Sequence, residues 1–175
     1  MEENKNEQKK IPIYKKWWFW VLIVLGIILI GSAGGGAASS GDKNDNTITA
    51  KFNETVTLNK LDFTVTDVYN TQVLSSIFDD GRTENNFVVI TIVVKNNSTS
   101  KKTIFDDDFS YRVGNNKYEP DTASIYLDDG FWLNETIAAG LTSTFSLVFE
   151  VPSEYETTDY LLIKYASPRA KIYME

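Results

Sequence analysis

Ser98-Thr99-Ser100-Lys101 has the spacing of a serine–lysine nucleophile, in which a lysine one helical turn on takes the serine proton. That chemistry needs the serine at a helix N-terminus. Here the four residues separate two strand-like stretches and no Lys-Thr-Gly element accompanies them, so a solvated hairpin tip is the expectation. Asp79-Asp80, Asp106-Asp107-Asp108 and Asp128-Asp129 offer carboxylate oxygens to Ca²⁺, which needs six to eight of them converging. None follows the spaced loop of a calcium motif, and acidic runs of this kind ordinarily solubilise or form turns. Carboxylate pairs for glycoside hydrolysis need two groups facing each other across a cleft, which spacing alone does not supply. The chain has no Cys and no His, which removes cysteine nucleophiles, His-based triads, Cys/His zinc sites, haem and iron–sulfur ligation. The expectation is therefore no catalytic residue, no cofactor and no metal.

The remaining candidates are aromatic. Tyr126, Phe131 and Trp132 fall in a long connection, Asp121 to Gly140, and Ile77 and Phe78 in another, Tyr69 to Asn86. Long loops carrying Trp and Tyr at the end of a β-domain make contact surfaces, because these side chains supply area at little entropic cost. The plainer reading, and the one favoured, is that they close the ends of the domain as lids over its core. Tyr126, Phe131 and Trp132 are the candidate partner-binding loop.

These loops need a framework, and composition supplies one: 42% hydrophobic and 13% aromatic residues with 4 Pro among 175 exceed what a disordered chain carries, at a net charge of -7. The length suits one domain and an anchor. Between Lys16 and Asp42 no charge occurs, and Trp17 to Ile30 is apolar except for Gly26. Crossing the hydrocarbon layer takes about 20 helical residues, so a span must run on through Gly31 to Ala38. Trp17, Trp18 and Trp20 open the run at headgroup level, behind Lys9, Lys10, Lys15 and Lys16. Lys15, Lys16, Trp17, Trp18 and Trp20 are thus expected at the membrane interface, with the N-terminus cytoplasmic. The expected division is a basic tail 1–16, a transmembrane signal anchor 17–38, a flexible linker 39–46 and an extracytoplasmic domain 47–175. A competing reading is a signal peptide cut at Gly36-Ala37-Ala38 before Ser39. From residue 41 onward, 12 Lys+Arg stand against 21 Asp+Glu, about -9 overall, a surface expected to repel nucleic acid and anionic headgroups.

Past the linker the pattern has period two. Leu61, Phe63 and Val65 alternate with polar residues, as a half-buried strand does. Phe87 to Lys95 is apolar on both faces and predicts a central strand covered on both sides. Thr144 to Val151 alternates until Pro152 stops it, and Leu161, Ile163, Tyr165 and Ala170 to Met174 continue the pattern. Shorter candidates are Ile48–Phe52, Glu54–Leu58, Phe109–Val113 and Lys117–Glu119. Turn signals stand at Asp80-Gly81, Asn96-Asn97, Gly114-Asn115-Asn116, Asp129-Gly130 and Gly140. Seven to nine short strands predict an all-β, immunoglobulin-like antiparallel sandwich preceded by a single N-terminal transmembrane helix.

The stretches Phe87-VVITIVVKNNSTSKKTI, Phe105-DDDFSYRVGNNKYEPD and Ala139-GLTSTFSLVFEVP resemble the bacterial family called domain of unknown function 4352, over residues 48 to 166. That resemblance implies an immunoglobulin-like sandwich similar in shape to small secreted mycobacterial immunogenic proteins, often behind one membrane segment or a lipoprotein signal, and the run KKWWFW is a common opening in such proteins of Gram-positive bacteria. It implies no activity. The functional expectation is a plasma-membrane, single-pass surface protein whose non-enzymatic domain contacts an envelope protein, a host protein or a wall polymer. A secreted ligand-binding or enzyme-regulating domain, and then an envelope hydrolase, are the alternatives.

Overall fold

The computed structural model of the chain describes residues 47–76, 79–154 and 159–174. The expected tail, anchor and linker, with Lys15, Lys16, Trp17, Trp18 and Trp20, lie outside the described residues, as do Ile77 and Phe78. Among the described residues no helix is long and apolar enough to cross a membrane.

The strands are β1 (Thr47–Lys51), β2 (Thr55–Leu58), β3 (Leu61–Ser75), β4 (Asp80–Asn96), β5 (Lys102–Phe105), β6 (Phe109–Val113), β7 (Asn116–Tyr118), β8 (Asn134–Ile137), β9 (Thr142–Val151), β10 (Asp159–Lys164) and β11 (Arg169–Tyr173). They form an all-β sandwich. One sheet has the order β1-β11-β10-β6-β7 and the other β2-β3-β4-β9, with β5 and β8 as a two-stranded ribbon beside them. All ladders are antiparallel except β1–β11, which is parallel from Thr47↔Arg169 to Lys51↔Tyr173.

Period-two alternation decides which side chains meet between the sheets. Phe109, Tyr111 and Val113 of β6, Leu161 and Ile163 of β10, and Ala170 and Ile172 of β11 face Phe63 and Val65 of β3, the even-numbered apolar residues of β4, and Phe145, Leu147 and Phe149 of β9 in one buried cluster. Burying a side chain of this size contributes about 2 kcal/mol as an upper estimate. A bulge between Val65 and Asp67 shifts the β3 register by one residue, so that Val68 still packs against the core after an odd-numbered run.

β4 is covered on both sides, as its sequence predicts. Val88, Ile90, Ile92 and Val94 lie in the main core, whereas Phe87 and Val89 form a second cluster with Val148, Leu74 and Ala123 on the outer face of that sheet.

Three expectations are corrected. The connection Tyr69 to Asn86 is mostly strand: β3 and β4 run past the sandwich as one long hairpin, and the reversal lies before Asp80, where the Ser76 amide donates to Asp79 O at 3.0 Å. Its polar residues hide the pattern because little of this ribbon touches the main core. β5 and β8 were not foreseen, since each has four residues and buries one apolar side chain, Ile104 or Ile137. Asn96, read as part of a turn signal, is the last residue of β4. It is fully buried, its Nδ2 donates to Ser100 O (2.8 Å) and Ile137 O (2.9 Å), and its Oδ1 accepts from the Ser98 amide at 2.9 Å.

Candidate functional site

The connection from β7 to β8 is built on Asp121. Its carboxylate accepts from the Ala123 amide at 2.7 Å and so caps the short 3-10 turn Thr122–Tyr126, while its own amide donates to Val148 O at 2.7 Å. The segment is then stapled along the free edge of β9. The Ser146 amide donates to Asp129 O and the Phe131 amide to Ser146 O, both at 2.8 Å, and Ser124 Oγ donates to Phe131 O at 2.6 Å. Gly130 is required where these strands of backbone converge, because a Cβ there would stand 1.7 Å from Ser124 O. Gly81 plays the matching part in the long hairpin: the Tyr126 ring lies so close that a Cβ would meet it at 2.5 Å.

The three candidate loop aromatics therefore part company. Phe131 is buried between the sheets, its ring 4.6 Å from Phe145 and 5.7 Å from Phe109 by centroid, so the lid role applies to it and the contact role does not. Tyr126 is half-buried against the second cluster and covers the outer face of β4. Trp132, the next residue after Phe131, is 65% exposed.

What turns Trp132 outward is the backbone beside it. Leu133 has φ 63° and the Asn134 amide donates to Trp132 O at 2.7 Å, which together make a classic γ-turn, a rare and strained reversal for a bulky residue. The turn is fixed from the other side by the Asp106 amide, which donates to Leu133 O at 3.0 Å. Leu133 is itself exposed, and so is Phe105, which stands opposite Asn134 in the β5–β8 ladder. Trp132, Leu133 and Phe105 thus form an apolar knuckle on a rigid base. Sequence reading found Trp132 by residue type. It missed Leu133 and Phe105, because nothing in a linear pattern marks a leucine at positive φ or brings residues 105 and 133 together.

The acidic runs serve as local caps. Asp106 Oδ1 accepts from the Asp107 amide (2.9 Å) and Asp108 Oδ2 from the Phe105 amide (2.8 Å), around the one-turn helix Asp106–Asp108. Burial, with help from Asp107 and Asp106, holds the Asp108 carboxyl above the usual carboxylate range. Asp80 pairs with Arg82 at 3.0 Å, and Asp129 Oδ2 accepts from Ser146 Oγ at 3.1 Å. Among the described residues no three carboxylates converge as a cation site requires. Ser98 Oγ lies 2.7 Å from both Asn96 Oδ1 and Ser100 O, so the hydroxyl is taken up in tying its own turn, with no helix beneath it. Glu150, unmarked in the sequence, accepts from Thr83 Oγ1 and from Asn85 Nδ2 (3.0 Å), and these bonds hold its carboxyl below the ordinary value.

The family described as Domain of unknown function (DUF4352) matches residues 50–170. Among solved structures the fold is similar to the yjhA protein from Bacillus subtilis (14% identity, TM-score 0.56, covering 72% of this chain and 99% of that one). It is similar to an uncharacterized beta-sandwich protein from Clostridium difficile 630 (13%, 0.53, 79% and 100%). It is also similar to MPT63, a secreted protein from Mycobacterium tuberculosis (17%, 0.54, 74% and 97%). Comparison with curated proteins found no match.

Proposed function

From the premise that the chain belongs to the DUF4352 family, we propose that it is a membrane-anchored cell-surface protein whose sandwich is a non-enzymatic binding or accessory domain. The carrying observation is the knuckle of Trp132, Leu133 and Phe105: three exposed apolar side chains on backbone that is strained where it turns and pinned by hydrogen bonds on both sides. Local strain that the surroundings hold in place gathers at functional positions, and an exposed Trp on a rigid base is a contact anchor. The partner is an envelope protein, a host protein or a wall polymer.

The finer fold assignment is immunoglobulin-like. β3-β4-β9 and β6-β10-β11 stand as strands A-B-E and C-F-G, and β1 runs parallel to β11 along the sheet edge. The topology proposed is the one the sequence supports: Lys15, Lys16, Trp17, Trp18 and Trp20 at the inner interface, a span to Ala38 and the domain outside.

The test replaces Trp132 with a photo-crosslinking aromatic residue in the full chain on intact cells, with the same substitution at exposed Thr57 as control. One partner captured at position 132 and not at 57, and lost when Leu133→Gly relaxes the turn, is the expected result. Equal capture at both positions would remove the knuckle from the proposal. Mass spectrometry of the mature N-terminus tests the anchor: a chain beginning at Ser39 in the medium would replace it with the secreted alternative.

A further inference from the structure

The domain is acidic overall, yet the outer face of its five-stranded sheet is basic. Residues whose neighbours enter the core must themselves point outward. Ala50, Tyr111, Val113, Ile163, Ala170 and Ile172 are in the core, which places Lys51, Arg112, Lys164, Arg169 and Lys171 on the outside of this sheet. The registers set Lys51, Tyr173, Tyr160 and Arg112 in one row across four strands, Lys171 beside Leu162 in the next, and Arg169 beside Lys164 in a third. Residues 47–174 hold eleven Lys and Arg in all, and with Lys117, opposite Arg112 at the β7 edge, six of them share one face of one sheet.

That face is also short of counter-charge. The strands β1, β6, β7, β10 and β11 carry one carboxylate between them, Asp159, which pairs with Val113 in register, shares its inward side and accepts from the Tyr111 hydroxyl. Glu119, just past β7, pairs with Lys117 at the far edge. Among the described residues, Lys51, Arg112, Lys164, Arg169 and Lys171 have no carboxylate within ion-pair distance, and Arg112 Nε is buried with no hydrogen-bond partner. Tyr160 and Tyr173 stack at 5.4 Å in the middle of the face, with Lys171 Nζ 5.4 Å from the Tyr160 ring.

We propose that this face rests on the anionic phospholipid headgroups of the membrane that anchors the chain. The inference rests on the anchored reading above. Two things select a bilayer as the occupant. Tyrosines among lysines and arginines are what a headgroup layer accepts from a protein surface. The chain also reaches the domain at the edge of this very sheet, at Thr47 of β1, after the eight residues 39–46 that the sequence reads as a linker. Eight residues reach at most about 28 Å, so an anchored domain stays close to the bilayer, where the nearest face rather than the net charge decides attraction within a Debye length of about 8 Å. The domain-wide charge expected to repel headgroups is an average over a surface that the fold sorts by sign.

The test uses the full chain in lipid nanodiscs of phosphatidylcholine with or without phosphatidylglycerol, carrying a paramagnetic headgroup. The sequence has no Cys, so Thr49→Cys on the basic face and Thr57→Cys on the opposite sheet each take a single fluorophore. The expected result is stronger quenching at position 49 than at 57 in phosphatidylglycerol discs. The difference should vanish in phosphatidylcholine, in high salt and in the triple variant Lys51→Gln/Lys164→Gln/Lys171→Gln, whose melting temperature checks its folding. Equal quenching at the two positions, or a difference indifferent to lipid charge, overturns the proposal. Flotation with phosphatidylcholine vesicles in high salt reads the anchor separately. A chain that does not float is unanchored, and its sedimentation with phosphatidylglycerol vesicles then reads the face alone. Each lysine removed should lower that binding about fivefold, roughly a hundredfold for three; no salt-dependent binding overturns the proposal. Retention on immobilised glycerol-phosphate polymer without any response to phosphatidylglycerol also overturns it, and gives the face to the wall.

Discussion

Phe131→Ala and Trp132→Ala are adjacent truncations with opposite expected outcomes. Phe131 is 5% exposed and wedged between Phe109 of one sheet and Phe145 of the other, so its loss opens a cavity that neither sheet can close without moving. An aromatic ring buries about 200 Å², which at about 25 cal/mol per Å² gives roughly 5 kcal/mol as an upper figure. Buried Phe→Ala changes cost about 3–5 kcal/mol, and two lost ring pairs place this one near the middle of that range, about 4 kcal/mol. For a domain of this size that is a fall in melting temperature on the order of 15 °C. Trp132, at 65% exposure, should shift stability by no more than about 0.5 kcal/mol. Urea unfolding followed by circular dichroism reads both, with the m-value confirming that only stability moved. If Phe131→Ala cost under about 1 kcal/mol, or Trp132→Ala cost as much as Phe131→Ala, the division of this loop into a buried wedge and an exposed knuckle would be wrong.

Gly130→Ala should release the loop from β9, because the new methyl cannot coexist with Ser124 O; hydrogen exchange at the Phe131 and Ser146 amides should speed up strongly, and unchanged protection there would refute the close approach. Asn96→Ala leaves Ser100 O and Ile137 O without their donor and should cost about 2–4 kcal/mol in chemical denaturation, whereas Asn97→Ala at the exposed neighbouring position should cost under about 1 kcal/mol. Glu150 has a carboxyl lowered from 4.5 in the folded state, so it adds a small stability that is present above that pH and disappears as pH falls through the folded value. Thr83→Val should therefore lower stability at neutral pH and leave it nearly unchanged in acid; an equal loss at both would show that the Thr83 bond does not act through the Glu150 charge.

Legibility in the sequence followed burial. Where a strand buries one face against the main core, as Leu61–Val65, Phe109–Val113 and Thr144–Val151 do, alternation marks it, and the family resemblance includes the last two of these stretches. β4 was readable as doubly covered because Phe87 and Val89 are as apolar as the residues that alternate with them. The outer half of the β3–β4 hairpin was not readable, because its backbone pairing is satisfied by its own partner strand and asks little of its side chains. Of the proposed contact site, only Trp132 showed. Its neighbours Leu133 and Phe105 become a surface through a γ-turn and a cross-strand register, neither of which has a one-dimensional signature. The basic face was hidden for the same reason, since Lys51 and Lys171 are 120 residues apart in sequence (171 − 51) and become diagonal neighbours in successive rows of the sheet.

The parallel pairing of β1 with β11 has a consequence in time. Thr47 meets Arg169 across 122 steps of chain (169 − 47), so β1 has no sheet partner until β11 is released. Strand pairings of such long sequence separation form late, after the entropy of closing the loop has been overcome. While a nascent chain still lacks β10 and β11, β1 and β6 have no neighbour between them and the five-stranded sheet does not exist. The five-stranded sheet is thereby kept open until β10 and β11 have emerged, and its basic face comes into being in that closing step.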